Sequence, residues 1–135
     1  MRNFKKLVIG AVSVIMLFGG AYITNYFFNM MKYRTIIKEL SISKVDLSKI
    51  PDGNFTGSFD AIFVEAKVNV IVKNHKIVDV KLINHKNERG QKAEVIPQKV
   101  VHAQSLQVDA VSGATNSSKV ILKAIENALI SGENK

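Results

Sequence analysis

The sequence predicts an α+β fold: a small antiparallel sheet packed with helices, preceded by one N-terminal transmembrane helix. Three observations carry this expectation. Residues 7–31 contain no charged side chain, apolar residues alternate from Val64 to Val72, and they recur at helical spacing from Ile121 to Leu129. Strands come first and helices afterwards, which separates this chain from folds that alternate the two. The expected organisation is a membrane anchor over residues 1–31, a juxtamembrane helix and linker over 32–51, and a domain over 52–132.

A helix crossing the hydrocarbon core needs about 20 residues rising about 1.5 Å each. The uncharged stretch after Lys6 meets that length. Tyr22, Tyr26, Phe27 and Phe28 gather at its far end, where aromatic rings favour the membrane interface, and Lys32 and Arg34 close it. A secretory signal satisfies some of the same criteria. Arg2, Lys5 and Lys6 resemble its basic start, Leu7–Phe18 its apolar run, and Gly19-Gly20-Ala21 a peptidase site. Apolar residues continue beyond Ala21, which favours the uncleaved anchor. Basic residues flank both ends, so local charge barely sets orientation. The signal-like start places the following domain outside the cytoplasm, in a single-pass cell-membrane protein.

Tyr33, Ile36, Ile37 and Leu40 share one helical face, so the helix continues past the anchor. Ser41–Ile50 is mixed and polar, and Pro51-Asp52-Gly53 signals a turn. Asn54–Phe63 reads as a glycine-interrupted strand. Val64, Ala66, Val68, Val70 and Val72 line one buried face of the next strand. Asn74-His75 turns the chain without the usual glycine, and Val78, Val80 and Leu82 mark the return strand. One or two short helices follow between Ala93 and Leu106, with Pro97 near the start of the second. In the last helix, Ile121, Ala124, Ile125, Ala128 and Leu129 form the stripe. Asn116, Ser117 and Ser118 are its candidate caps, and Gly132 its end.

Composition removes several function classes. The chain has no cysteine, which excludes disulfides, thiol catalysis and Cys-ligated zinc. His75, His85 and His102 lack ligand spacing, so no metal site is expected; His75 reads as a turn residue and His102 as a helix-surface one. The formal charge is +8; from Lys32 onward sixteen basic and eleven acidic residues remain, a balance of +5. This excess suits an anionic membrane surface or a phosphate ligand. The lysines are dispersed and no aromatic residues interleave them, so nucleic acid is not an expected partner.

Asp109-Ala110-Val111-Ser112-Gly113-Ala114-Thr115 leads directly into the last helix. Gly113 permits close backbone approach, and Ala114 leaves space beside the Thr115 hydroxyl. The first N–H groups of a helix lack intrahelical acceptors and sit at a positive dipole end, which favours phosphate. Ser117, Ser118 and Lys119 are further candidate donors. An ordinary helix cap, formed by Thr115 or Asn116, explains the same residues. Ser112 lacks the flanking glycines of a nucleophile elbow and a matching His–acid pair, so serine hydrolysis is not expected.

The seven residues Asp109–Thr115 match the pattern modified by bacterial flavin transferases: Asp, two residues, Ser or Thr, then Gly-Ala-Thr. Gly53-Asn54-Phe55-Thr56-Gly57 is similar to the glycine–aromatic–glycine strand that opens the FMN-binding domain family. The resemblance spans approximately Asp52 to Ile130. That family includes flavin subunits of sodium-pumping NADH:quinone oxidoreductase and of Rnf complexes, although this chain is shorter and lacks their inserted segments.

The resemblance implies covalent FMN, joined as a phosphoester to Thr115 and donated from FAD by a magnesium-dependent flavin transferase. Ser112, Gly113 and Ala114 would form the exposing loop, and Asp109 the acidic residue the transferase recognises. The implied role is a flavoprotein of electron transport, working between redox donor and acceptor proteins or quinone. In His85-Lys86-Asn87-Glu88-Arg89-Gly90, His85 and Arg89 are candidate flavin-proximal residues; a solvated turn explains the same segment. Two other functions stay open at this stage: a binding module without covalent flavin, and a small flavin-dependent reductase.

Overall fold

The computed structural model describes residues 1–135, which divide into two compact units, Met1–Thr35 and Ile36–Lys135. Helix α1 spans Arg2–Glu39, running unbroken through the boundary expected after Met31. It is long and apolar enough to cross a membrane, although a signal sequence near an N-terminus passes the same test. Its large apolar side chains are exposed, among them Leu17 and Phe18 at 74% and 75%. In the second unit Ile37 is buried and Ile36 and Leu40 half-buried, which accounts for the apolar spacing there.

The linker is more ordered than its composition implies. A short 3-10 turn at Leu47–Lys49 is capped by Asp46, whose carboxylate accepts from the Ser48 hydroxyl at 2.7 Å and the Ser48 N–H at 3.0 Å. Those bonds, the hydroxyl first, hold the Asp46 carboxyl below its ordinary pKa. Lys123 donates to the Ser41 carbonyl and to Glu126, a carboxylate only 2% exposed.

The sheet is an antiparallel meander in the order β1–β2–β3, comprising Gly53–Asp60, Glu65–Lys73 and Lys76–Lys86. The first strand stops three residues short of the expected end. Asp60 accepts the Ile62 N–H at 2.7 Å, and Ile62 takes a left-handed conformation (φ 72°), which a strand cannot continue. The Asn74-His75 turn forms as expected, both residues at positive φ. His75 contacts the Ile50 carbonyl, and Asp52 accepts the Asn74 N–H, so this turn also fastens the start of β1.

Ala66, Val68, Val70 and Val72 are fully buried on one sheet face, as their alternation predicts. Helices cover that face: α2 (Ile96–Ala103), after a 3-10 turn at Gln91–Val95, against β3, and α3 (Thr115–Glu133) against β1 and β2. A side chain at Gly57 would collide with the backbone of Ala124 and Ala128, so this glycine lets α3 lie directly on the sheet. Gly132 does not end the helix as expected. It is buried inside the last turn, where an added Cβ would stand 2.9 Å from the Phe55 ring.

Candidate functional site

Helix α3 runs antiparallel to β1. Its C-terminal half meets Phe55 and Gly57, and Asn127 donates to the Ser58 carbonyl at 2.9 Å. Its first turn therefore lies toward the end of the sheet where β1 and β3 finish. At that end Ser117 packs directly against Gly90, leaving no room there for a side chain on residue 90. The loop after β3 is thus seated on the first turn of α3.

The motif folds as a tight turn feeding the helix. The Val111 carbonyl accepts the Ala114 N–H at 2.9 Å, and Gly113 occupies the second central position with φ 80°. That conformation is the type II turn position that glycine fills without strain. A Cβ at Gly113 would meet nothing within 4 Å, so the turn faces open space. The backbone conformation, rather than crowding, is what demands glycine here.

The helix cap differs from the sequence expectation. Asn116, Ser117 and Ser118 all lie inside α3, and the N-cap is Ala114, which has no side chain able to cap. Ser118 is fully buried; its hydroxyl donates to the Ala114 carbonyl at 2.8 Å and accepts the Val111 N–H at 3.0 Å. It therefore pins the turn and is committed to that work instead of facing a ligand. Ser117 is buried too, whereas Lys119 is half-buried. Thr115 is exposed at the first helical position, and Ser112 and Asp109 are exposed along the same loop.

These features suit a phosphate ester. An exposed hydroxyl stands at a helix start with no side-chain cap, and that end of the dipole favours negative charge. Thr115 would carry the ester, while Gly113 and Ala114 leave the approach open. No group of three or more His, Asp or Glu is placed to hold a metal ion.

His85 and Arg89 are separated from each other by burial. The His85 side chain is 2% exposed, with Nδ1 3.1 Å from the Glu94 carboxylate and Nε2 buried without a partner. Asn87 lies 3.2 Å from the same Nδ1 and accepts the Gly90 N–H at 2.9 Å, closing the loop over the ring. Arg89 is exposed. Three contributions had no strong sequence signal: the Ser118 staple, the Gly90–Ser117 contact, and Gln104. The last residue, at φ 51°, ends α2 and bonds both backbone groups of Ile77.

Residues 64–130 match the FMN-binding domain family model, a span that includes β2, β3, the motif and most of α3. The chain is 31% identical over 96 residues to an NADH:acrylate oxidoreductase of Vibrio harveyi, covering 69% of this chain but 9% of that protein. A crystal structure of the CPE2226 protein from Clostridium perfringens shares the fold, with a TM-score of 0.52 and 22% identity. The match covers 63% of this chain and 90% of the other.

Proposed function

We infer from the FMN-binding domain present here that the chain is a membrane-anchored electron carrier holding FMN on Thr115 through a phosphoester. The observation that carries this reading is the exposed Thr115 hydroxyl at the side-chain-free start of α3, behind the Gly113 turn. In the attachment step, Thr115 Oγ attacks the FMN-side phosphorus of FAD. A P–O bond forms, the pyrophosphate bridge breaks, AMP leaves with the bridging oxygen, and the hydroxyl proton passes to solvent. No electron changes hands in that step.

The residues of this chain then have defined tasks. Thr115 holds the phosphate, the first turn of α3 opposes its charge, and Ser118 keeps the turn in shape. Asp109 is the exposed acidic residue offered to the transferase. The bound flavin supplies reversible electron uptake, while the protein tunes and restricts it. A covalent bond keeps the cofactor at high local concentration outside the cytoplasm, where a dissociated flavin would be lost.

Co-expression with a flavin transferase tests the proposal. Intact-protein mass should rise by one FMN moiety, peptide mapping should place it on Thr115, and Thr115→Val should remain unmodified. A colourless product with bare Thr115 under those conditions would sink it.

The match to a small part of an NADH:acrylate oxidoreductase supports a second reading, in which the domain delivers electrons to a reductase partner. Sustained turnover of a small acceptor by the isolated chain would instead favour a self-contained reductase.

A further inference from the structure

Helices cover one face of the sheet, and the other face is open. Lys67, Asn69 and Ile71 of β2 stand on it, alternating with the buried valines. Strand β3 is bulged twice, at Val78 and at Ile83, which the pairing with β2 passes over. Ile77 and Val80 are buried, so Val78 and Asp79 both turn outward between them. Leu82 and His85 pair with the buried Val68 and Ala66, which leaves Ile83 and Asn84 outside. Each bulge therefore adds one aliphatic side chain to the open face without interrupting the buried row. Val78 and Ile83 remain 51% and 55% exposed.

The same hairpin concentrates the charge. From Ile36 to Lys135 there are fourteen basic and eleven acidic residues. Glu65–Lys86 holds five of the basic ones and two of the acidic ones, so the other nine of each sign balance. Lys67, Lys73, Lys76, Lys81 and Lys86 are all exposed, and none is in an ion pair within the chain. Glu65 and Asp79 are half-buried, and Asp60 of β1 is the third acid of this face. Protection of a sheet edge accounts for lysines and bulges on β3, an edge strand. It does not account for Lys67 and Lys73 on the central strand.

We propose that the open face docks on anionic lipid, its lysines among the phosphates and Val78 and Ile83 dipping between headgroups. This rests on the anchored reading above, which keeps the domain beside a bilayer. Two observations favour lipid over a protein partner. First, lysine is depleted from protein interfaces, where aromatic residues, Met and Arg are enriched. The outward residues of the three strands include none of those enriched types, yet they include five lysines. Second, isolated aliphatic side chains amid lysines suit a headgroup layer. There the ammonium groups meet phosphate, and short apolar tips reach the acyl boundary.

The experiment uses the full chain reconstituted in bilayer discs, of phosphatidylcholine alone or mixed equally with phosphatidylglycerol. The chain has no cysteine, so Ile83→Cys, Gln98→Cys and Leu17→Cys each accept one fluorophore. Gln98 is exposed on α2, which lies against the opposite face, and serves as the control. Headgroup-nitroxide lipid should quench residue 83 at least about twofold more than residue 98 in the anionic discs. In neutral discs, or in about 1 M salt, where the screening length is about 3 Å, that difference should vanish. Lys67→Glu with Lys81→Glu should abolish it too, without changing the unfolding temperature.

Equal quenching at residues 83 and 98, or quenching at 83 that ignores lipid charge, would overturn the docking. A response of the residue 83 label to added polyglutamate but to no lipid would assign the face to an acidic protein and equally overturn it. The residue 17 label tests the anchor separately: without quenching by acyl-chain nitroxide, the anchored reading fails. Docking is then judged by sedimentation of the chain with vesicles of the same anionic mixture. Roughly tenfold weaker binding by the doubly reversed variant supports it, and equal binding rejects it.

Discussion

The two ends of α3 are built on opposite principles. Near its C-terminal end the helix backbone lies against Gly57, Gly132 closes on the Phe55 ring, and Asn127 bonds the sheet. At the other end Thr115 is exposed, the cap residue is an alanine, and the preceding turn faces open space. One end spends its residues on packing and leaves nothing to react. The other is held from beneath by Ser118 and kept clear above. A rigid element thus presents an exposed hydroxyl without enlisting that hydroxyl in stability.

The largest test of this contrast is Gly57→Val. The new side chain must enter the α3 backbone, which cannot yield as a flexible side chain would, and the loss should exceed about 3 kcal/mol. Urea denaturation reads it; near-native stability would mean that helix and sheet are not held as described. Ser118→Ala should cost about 1–2 kcal/mol, because it leaves the half-buried Val111 N–H without its acceptor. It should also slow flavin attachment without abolishing it, measured as the rate of mass gain. Full-speed attachment would show that the turn keeps its shape without the staple.

Thr115→Val should change stability by less than about 1 kcal/mol while removing the covalent flavin altogether. A large loss of stability would place the hydroxyl in the structural class and erase the contrast. The smallest effect concerns Asp46, remote in sequence from the motif. Its ionised form is the one bonded to Ser48, so its folded pKa lies below the unfolded value. The associated stabilisation is present above the ordinary Asp range and fades as pH falls through the folded value. An NMR titration of its carboxyl should show the lowered midpoint, and Ser48→Ala should return it toward the usual range.

These outcomes follow unequally from the sequence. Alternation from Val64 to Val72 identified the buried face because strand periodicity maps directly onto burial. The stripe on α3, the Asn74-His75 turn and Pro97 near the start of α2 were legible for similarly local reasons. The motif drew attention to Thr115 and Gly113; the structure shows the first exposed and the second at positive φ.

What stayed hidden depends on pairs distant in the chain. Gly90 against Ser117 and Gln104 against Ile77 have no periodic signal. Serines at the helix start looked like caps, yet Ser118 bonds backward into the turn because Ala114 already occupies the capping position. His85 looked like a loop residue, but β3 continues to Lys86 and pairs His85 with the buried Ala66. Cross-strand partners share a face, so that pairing carried the ring inward.

The bond between His75 and the Ile50 carbonyl, with that between Asp52 and Asn74, has a mechanical consequence. Both lie where the strand β1 begins, roughly 26 Å of strand from where it ends, for eight residues at about 3.3 Å each. Tension arriving along residues 41–50 meets the Lys123–Ser41 bond on α3 first, and this second mooring then holds the entry of the strand.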